Sequence, residues 1–574
     1  MCGIVGYTGY QNAKNIVVDG LKTLEYRGYD SAGIALSDGD LHVFKTAGRV
    51  SELEKLLPDV VAHVAIGHTR WATHGEPNAK NAHPHLSFDG KIAVVHNGVI
   101  TNCENLKSML IARGISFRSS TDSEIIAHLL ALEDTSDMIK AVENVGKKLE
   151  GATTFLAIKA GDDAIYSRRY GASLAIGLGD GENIVASDTL AISRHTQKIV
   201  ILQDGECAKI TPRGAEFFKD GLQISKQAMK IKRTAPKECS CHMRTEIDEI
   251  PDAITRTFRE ITKTIDNDTL FWLKTAEKIY FCGCGTAYHA GLYGKYLFEK
   301  LLHIPCEAVV ASEFDAERFV NEKCVGIFIT QSGETADTLI ALSECKRKGA
   351  KTVAVTNVSG SSICFEADKT FLLDAGAEVA VAATKSYNCQ LFALYVIAKA
   401  CISQDVTDKD AERLCDVLKQ CSSVSLYEDR IKKANLFFVG KGVDNVTAKE
   451  GALKFKEITY KMTDAYQAGE LKHGAIALID DKSAVVAVIT NANDKHRIEA
   501  TVSELRSRGA YVTALSAVGD VGANKTYTLP FIGDENLYPI LSVIPLQNLA
   551  LTASLCLGLN PDKPRNLAKS VTVI

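Results

Sequence analysis

The second half of this chain repeats its own order of strands and helices, and no other feature restricts the fold as strongly. In both copies, short apolar runs alternate with amphipathic helical segments, as in a parallel sheet with crossover helices. Three pairs of corresponding positions carry the repeat: Gly283 with Gly440, 157 residues apart, and Thr330 with Thr490 and Gly349 with Gly509, each 160 residues apart. We therefore expect a duplicated α/β domain with copies at residues 247–410 and 425–560.

The first 235 residues have a different pattern. Short runs such as KIAVVHNGVI and ATTFLAIKA alternate apolar with polar residues, which is typical of half-buried antiparallel strands. Helical segments such as SEIIAHLLALE interrupt them. The pattern predicts an α+β domain at residues 1–235, a polar linker at 236–246 and a separate C-terminal tail at 561–574.

Composition excludes several classes of protein. Lys and Arg number 66 against 70 Asp and Glu, so the chain lacks the basic field expected of a nucleic-acid binder. We recognise no long apolar run that predicts a membrane span, and the start MCGIVG lacks a signal-peptide pattern, so a cytoplasmic protein is expected. The 16 cysteines are scattered rather than spaced as a disulfide framework, and the close pairs read C-x-C, so neither disulfides nor a metal site is expected.

Cys2 directly follows the initiator methionine, which is usually removed before a small residue. The new terminal α-amine would have a pKa of about 7.7–8.0, suitable for accepting the thiol proton. This arrangement is that of an N-terminal nucleophile. A strand of small residues is the alternative explanation of CGIVG.

Three further segments could complete such a site. The arginine of RWATHG suits a carboxylate, the Asn-Gly pair of HNG suits an oxyanion hole, and the acid of STDSE could hold an ammonium group. Singly, they are also explained as a surface ion pair, a loop turn and a helix N-cap. Together they predict a site that binds glutamine and attacks its amide. The residues are Cys2, Asn97 and Gly98 for catalysis and Arg70, Thr73, His74 and Asp122 for glutamine.

In the duplicated half, two turns after predicted strands carry hydroxyl groups at the start of a helix. One contains Thr286 and the other spans residues 330–335. Helix N-termini favour phosphate, although simple helix caps explain the same residues. A G-x4-G-K-[ST] loop for ATP is absent. Glu450, Lys454 and Glu457 share one helix face, which could also be a solvated salt-bridge face.

The motifs CGIVGY, RWATHGEP, HNGVI, QSGETADT, AGELKHG and PRNLAKSVTV resemble the family of isomerising glutamine–fructose-6-phosphate aminotransferases. The resemblance covers essentially the whole chain. It implies an α+β N-terminal nucleophile glutaminase domain followed by two α/β sugar isomerase (SIS) domains with parallel sheets. It also implies that glutamine and fructose 6-phosphate become glutamate and glucosamine 6-phosphate, without a cofactor or metal, in a homodimer.

The same resemblance implies roles for individual residues. Glu457 moves the proton between C1 and C2, His473 of the neighbouring subunit opens the sugar ring, and Lys569 forms an imine with the ketose. Trp71 and Ala568 gate an ammonia channel. The implied sugar-phosphate residues are Thr286, Thr330, Gln331, Ser332, Thr335, Lys454 and Glu450.

The chain also departs from the family pattern. Ala287 and Ala383 stand where members carry serine, so a related SIS amidotransferase or deglycase for another sugar phosphate is the alternative. A phosphoribosyl amidotransferase would need a Gly/Thr-rich turn after the acids of LIDD, but KSAV follows. A non-catalytic sensor is disfavoured by the intact residues Cys2, Glu457, His473 and Lys569. The linker lacks the long insertion of eukaryotic relatives, which favours a bacterial-type enzyme.

Overall fold

The computed structural model describes residues 2–71, 76–231, 239–422, 424, 426–427 and 435–571. The chain divides into two compact units. The first comprises residues 1–235 with 570–574, and the second comprises residues 236–569.

The first unit contains two antiparallel sheets with helices on their outer faces. Its strands are β1 Gly3–Gly9, β2 Ser31–Ser37, β3 Leu41–Ala47, β4 Val64–Arg70, β5 His85–Leu86, β6 Ile92–Ile100, β7 Gly151–Lys159, β8 Ile165–Arg168, β9 Ala175–Leu178, β10 Glu182–Ala186, β11 Lys198–Ile201, β12 Cys207–Thr211, β13 Gly214–Lys219, β14 Leu222–Ile224 and β15 Met229–Lys230. Its helices are α1 Ala13–Leu24, α2 Val50–Leu56, α3 Cys103–Ala112, α4 Glu124–Ala131, α5 Met138–Lys148 and α6 Thr189–Ile192, with a 3-10 turn at Glu25–Arg27.

The strand order is β15-β11-β9-β10-β1-β4-β2-β3 in one sheet and β14-β13-β12-β8-β7-β6-β5 in the other. Strand β1 is buried along its whole length because both of its faces are covered. Ile4 packs into the core between the sheets, whereas Val5 packs beneath α1. Because successive side chains of a strand point to opposite faces, β1 contributes residues to two separate hydrophobic cores.

The register of β1 fixes the position of the N-terminus. Gly3 pairs with Thr69 of the antiparallel neighbour β4, and β4 ends one residue later at Arg70. Cys2 consequently lies beside the end of β4, in the middle of the sheet. The pairing of β1 with β4 is therefore enough to bring Cys2, the predicted nucleophile, next to Arg70, the predicted carboxylate-binding residue.

The second unit contains two parallel sheets of five strands. The strands are β16 Lys278–Gly283, β17 Cys306–Val310, β18 Cys324–Thr330, β19 Lys351–Thr356, β20 Lys369–Leu372, β21 Asn435–Gly440, β22 Thr463–Gln467, β23 Ser483–Ile489, β24 Tyr511–Ser516 and β25 Lys525–Thr528. The helices are α7 His242–Asp248, α8 Ile250–Thr264, α9 Asn267–Thr275, α10 Thr286–Leu302, α11 Ala316–Phe319, α12 Ala336–Arg347, α13 Ser362–Glu366, α14 Lys385–Cys401, α15 Asp408–Ser422, α16 Val443–Thr459, α17 Lys495–Ser507 and α18 Tyr538–Cys556. Short 3-10 helices lie at Ala311–Glu313, Glu470–His473, Ala475–Leu478, Ala492–Asp494 and Glu535–Leu537.

The two sheets have the same topology, β17-β16-β18-β19-β20 and β22-β21-β23-β24-β25, so the predicted duplication and fold class are confirmed. Even the helix caps repeat. Gly285 before α10 and Gly442 before α16 have φ of 55° and 57°, and His303 and Tyr460 end these helices with φ of 58° and 59°. Positive φ is a costly backbone state for non-glycine residues, so its recurrence marks the copies as one folded unit used twice.

The segment Glu535–Cys556, which contains α18, is long and apolar enough to cross a membrane, a run that the sequence analysis overlooked. However, 83% of its most apolar window is buried inside the protein. Helix α18 packs against α16, and residues from both copies share one hydrophobic core. It is the buried core helix of a globular unit.

Candidate active sites

The predicted nucleophile, Cys2, is half-buried in the first unit. The Cys2 thiol donates a weak hydrogen bond to the carbonyl of Trp71, with an Sγ–O distance of 3.7 Å. Burial raises the pKa of this thiol above its ordinary value. Because the thiol is the resting form, a nearby base must take its proton before attack, and the α-amine released by loss of Met1 is suited to that role.

Asn97 and Gly98 are consecutive residues of β6. Asn97 Nδ2 donates to the backbone oxygen of Cys2 at 3.2 Å. Gly98 has a φ of 138°, and a Cβ there would lie 1.9 Å from the carbonyl oxygen of Ala152. Only glycine fits, so the backbone at this position is held in a conformation that no L-residue adopts without strain.

The predicted glutamine-binding residues are partly described. Arg70 is buried, and its Nη1 donates to the carbonyl of Glu76 at 3.4 Å. Burial lowers the pKa of Arg70, while Cys2, Asp122 and Asp30 act in the opposite direction, which places these groups in one electrostatic neighbourhood. Thr73 and His74 lie outside the described residues.

Asp122 does not cap a helix, which was the alternative explanation of its segment. Helix α4 has Ser123 as its N-cap residue. The Oδ2 atom of Asp122 instead accepts from the backbone N–H of Ile100 at 2.8 Å, and its Oδ1 accepts from Ser123 at 3.2 Å. This ties the acid to the end of β6, two residues beyond Gly98.

In the second unit, side chains from both copies converge on one point. Thr286 begins α10, and its hydroxyl donates to Glu450 Oε1 at 3.0 Å. Lys454, on α16, donates back to the same hydroxyl at 3.0 Å. His289 contacts the other oxygen of Glu450 at 2.7 Å. The site is therefore built from the first turn of α10 in the first copy and from α16, the equivalent helix, in the second copy.

Glu450 and Lys454 are buried and Glu457 is half-buried, so this helix face is not a solvated salt-bridge face. Lys454 is 1% exposed and lies 2.6 Å from Glu457 and 3.5 Å from Glu450. Burial raises the pKa of Glu457, whereas Lys454 opposes that shift. Burial alone would lower the pKa of Lys454, but the two carboxylates raise it. A carboxylate whose pKa is raised is a stronger base than an exposed one.

The turn after β18 is stabilised by its own hydroxyl groups. Thr330 and Thr335 share a hydrogen bond of 2.9 Å, and Thr330 Oγ1 also accepts from the backbone N–H of Gly333 at 3.2 Å. Ser332 Oγ accepts from the N–H of Glu334 at 3.2 Å. Gln331 lies in the same turn. Helix α12 begins at Ala336, so its free N–H groups point toward this turn.

Lys569 is not a solvated tail charge. Its side chain is 3% exposed and its ammonium group lies 2.5 Å from Glu378, which is fully buried. The tail around it is anchored, since Asp562 accepts from the backbone N–H groups of His242 and Met243 at 2.8 and 2.7 Å. The ion pair with Glu378 restricts where the Lys569 ammonium group can lie.

His473 and Ala568, the other two predicted residues of this half, are more exposed than Lys454. His473 is exposed on its 3-10 helix and, among the described residues, forms no hydrogen bond or ion pair with Lys454, Glu457 or Lys569. Ala568 is half-buried next to Lys569, and Trp71, in the first unit, is also half-buried. Within the described part of the chain, no cluster of three or more His, Cys, Asp or Glu side chains could hold a metal ion.

Comparison with known proteins identifies the family. Residues 68–193 match the glutamine amidotransferase domain, and residues 273–400 and 431–557 each match the SIS domain. The chain is 42% identical to glutamine–fructose-6-phosphate aminotransferase [isomerizing] of Caldanaerobacter subterraneus subsp. tengcongensis over 100% of both chains. It is equally identical to the Aquifex aeolicus enzyme of that name, again over 100% of both chains. The chain belongs to the glutamine–fructose-6-phosphate aminotransferase family.

Solved structures agree with this assignment. The C-terminal domain of the aminotransferase from Francisella tularensis is 30% identical, with a TM-score of 0.53, and the match covers 57% of this chain and all of that one. The tagatose-6-phosphate ketose/aldose isomerase of Escherichia coli matches with a TM-score of 0.51 at 19% identity, over 58% of this chain and 98% of its own. At that identity the second likeness shows a shared fold only.

The sequence did not identify two residues, Glu378 and His289, that contact the predicted site residues. Glu378 binds Lys569 and also accepts from the hydroxyl of Ser386 at 2.7 Å. His289 binds Glu450. An acid before the VAATKS segment and a histidine one turn into α10 were the only local signals. His289 lies in the recognisable segment CGTAYHAG, but the resemblance implies no role for either residue. Both partners are more than 160 residues away in sequence.

Proposed function

We propose that this chain converts fructose 6-phosphate and glutamine to glucosamine 6-phosphate and glutamate, and that it passes ammonia from the first unit to the second. The observation that carries the proposal is 42% identity to the aminotransferases over the full length of the chain. The ion-paired residues Glu450, Lys454 and Glu457, which lie beside Thr286, support it. The product belongs to the first step of amino-sugar synthesis.

In the first unit, Cys2 attacks the amide carbon of glutamine after its thiol proton passes to the α-amine. Arg70, Thr73, His74 and Asp122 bind the amino-acid end of the substrate. The oxygen of the tetrahedral intermediate receives hydrogen bonds from the side chain of Asn97 and the backbone N–H of Gly98. Collapse of the intermediate releases ammonia, and water then frees glutamate from the thioester.

In the second unit, the phosphate is held by Thr286 and the turn after β18, which supplies Thr330, Gln331, Ser332 and Thr335. The Lys569 amine forms an imine at C2 of the open-chain ketose, with loss of water. Ammonia displaces the lysine from C2. Glu457 then moves a proton between C1 and C2, and the buried Lys454 and Glu450 hold its charge in place.

Trp71 and Ala568 gate the ammonia path in this proposal, and the active form is a homodimer in which His473 of one subunit opens the sugar ring bound by the other. The exposed position of His473 on its short helix supports a role outside its own chain. We also propose a cytoplasmic location, and domains at residues 1–235, 247–410 and 425–560.

Ala287 and Ala383 favour one alternative, a related enzyme acting on another sugar phosphate or in the deglycase direction. The decisive experiment is mass spectrometry of the products formed from glutamine and a panel of ketose phosphates. The proposal predicts glucosamine 6-phosphate from fructose 6-phosphate as the main product. A faster reaction with a different ketose phosphate would transfer the assignment to that substrate, and no glutamine-dependent product would exclude both.

A further inference from the structure

A buried histidine in the first unit determines which way the Asn97 amide faces. His68 lies on β4 and is fully buried. Its Nε2 atom is 3.1 Å from the backbone oxygen of His96 and 3.1 Å from the side-chain oxygen of Asn97. Its Nδ1 atom has no hydrogen-bond partner among the described residues.

These contacts leave one consistent arrangement of hydrogen atoms. A backbone oxygen only accepts, so His68 Nε2 must carry the hydrogen that faces His96. That same N–H then requires an acceptor, not a donor, from Asn97. The amide oxygen of Asn97 must turn toward His68, and its Nδ2 is left facing Cys2, 3.2 Å from the Cys2 backbone oxygen.

The surroundings keep His68 in this one state. Burial, assisted by the charge of Arg70, lowers the pKa of His68 to about 3. The ring is therefore neutral near pH 7, and with the hydrogen on Nε2 the bare Nδ1 needs no acceptor. His83 stacks on the His68 ring with a centroid distance of 4.1 Å, which restricts its rotation.

The orientation matters because the two ends of an asparagine amide are nearly equal in size and opposite in polarity. A reversed amide would aim an oxygen at the place where negative charge develops during attack on glutamine. A carbonyl oxygen there repels that charge instead of binding it. Rotation about the terminal bond of Asn97 is broad and roughly two-fold. The bond from Nδ2 to the Cys2 backbone oxygen favours the observed orientation, and the bond from His68 adds a second, buried contact that the reversed form would lose.

We propose that His68 is a positioning residue for amide hydrolysis, which presents the N–H of Asn97 to the oxyanion formed at Cys2. The inference rests on the proposed roles of Cys2 and Asn97. His68 itself touches neither substrate nor the reacting thiol in this proposal. Its whole effect passes through one hydrogen bond to the amide oxygen.

The test uses the full-length enzyme with His68→Leu, which removes the donor, and His68→Gln, whose Nε2 can take the place of the ring nitrogen. For His68→Leu we expect the kcat of glutamine hydrolysis to fall about 10²-fold, the scale of losing one oxyanion donor, with KM changed less than about threefold. For His68→Gln we expect recovery to within about tenfold of the wild type. His128→Leu, at another buried histidine of the unit, is the control and should retain activity.

A second readout separates positioning from simple packing. Alkylation of Cys2 by iodoacetamide proceeds by displacement at carbon and forms no oxyanion, so its rate should be the same in His68→Leu and the wild type. If alkylation slows in parallel with hydrolysis, the histidine only supports the fold around the thiol, and the positioning role is wrong.

A double-mutant cycle with Asn97→Ala completes the test. If His68 acts only through Asn97, the double variant should hydrolyse glutamine no more slowly than Asn97→Ala alone. Additive losses would overturn the inference, as would wild-type kcat in His68→Leu. If Asn97→Ala itself hydrolyses glutamine at the wild-type rate, the proposed oxyanion role fails, and the role of His68 fails with it. Loss in Asn97→Ala without loss in His68→Leu would reject the inference alone.

Discussion

At the scale of single residues, the proposed chemistry of the first unit uses the Cys2 thiol, whose pKa is raised by burial. Cys2→Ser should reduce glutamine hydrolysis below detection, because a hydroxyl is a far weaker nucleophile than the thiolate that the α-amine generates. Intact-mass analysis of the wild type should show loss of Met1. Full glutaminase activity in protein that retains Met1 would contradict the mechanism.

Lys569 gives a second prediction at this scale. Lys569→Arg keeps a positive charge opposite Glu378 but cannot form an imine, since arginine stays protonated. Glucosamine 6-phosphate synthesis should fall by on the order of 10³-fold, while glutamine hydrolysis is partly retained.

Borohydride trapping provides the direct measurement for Lys569. Reduction in the presence of fructose 6-phosphate should attach the sugar to Lys569 in the wild type and leave the arginine variant unlabelled. Lys563→Arg, at a lysine earlier in the tail, is the control and should still be labelled at Lys569. If Lys569→Arg makes glucosamine 6-phosphate at the wild-type rate, Lys569 forms no imine and serves only as a structural charge.

At the scale of elements, helix α7 carries a buried acid that the proposed mechanism does not use. Glu246 accepts from the backbone N–H groups of Val379 and Ala380, in the same loop as Glu378. Burial and the negative charge of Glu378 raise the pKa of Glu246 to about 8. In the folded chain, Glu246 therefore keeps its proton over a range of pH in which the same side chain is ionised in the unfolded chain.

This shift makes stability depend on pH with a definite sign. Between about pH 4.3, the ordinary glutamate value, and about pH 8, unfolding releases the Glu246 proton, so this group contributes less stability as pH rises. Glu246→Gln keeps the acceptor oxygen but has no proton to lose. Its Tm relative to the wild type should therefore increase from pH 5 to pH 8 and level off above. Glu412→Gln, at an exposed position, is the control, and a Tm difference that stays constant with pH would refute the expected shift.

Helices α10 and α16 show how the repeat makes a site. The two helices occupy equivalent positions, yet Thr286 ends up beneath Glu450 and Lys454 because the copies pack helix to helix around a shared core. The spacing of Glu450, Lys454 and Glu457 predicts a shared face but not its burial. Whether such a face meets water or another helix depends on packing between the copies.

At the scale of the whole molecule, the proposed homodimer can be tested by mixing inactive variants. Glu457→Gln and His473→Ala should each abolish isomerisation of fructose 6-phosphate. If His473 serves the partner's site, hybrid dimers contain one complete site, and an equal mixture after subunit exchange should regain about a quarter of wild-type activity. His496→Ala replaces His473→Ala in the control mixture, because His496 is an exposed histidine outside the proposed site. No recovery in confirmed hybrids would place His473 in its own subunit's site.

The amino-acid sequence by itself determined the fold class and the family. Apolar periodicity and recurring glycines encode the duplicated sheets, since strand burial and positive φ are local requirements visible in the chain. The motif around Cys2 could also be recognised in the sequence, but its position beside the end of β4 became known only from the pairing of β1 with β4 in the structure. Tertiary structure alone decided the contacts between distant segments, such as Lys569 with Glu378, 191 residues apart, and His68 with Asn97, 29 residues apart. Burial and hydrogen bonding set the charge and orientation of these groups, and both depend on neighbours that linear sequence does not bring together.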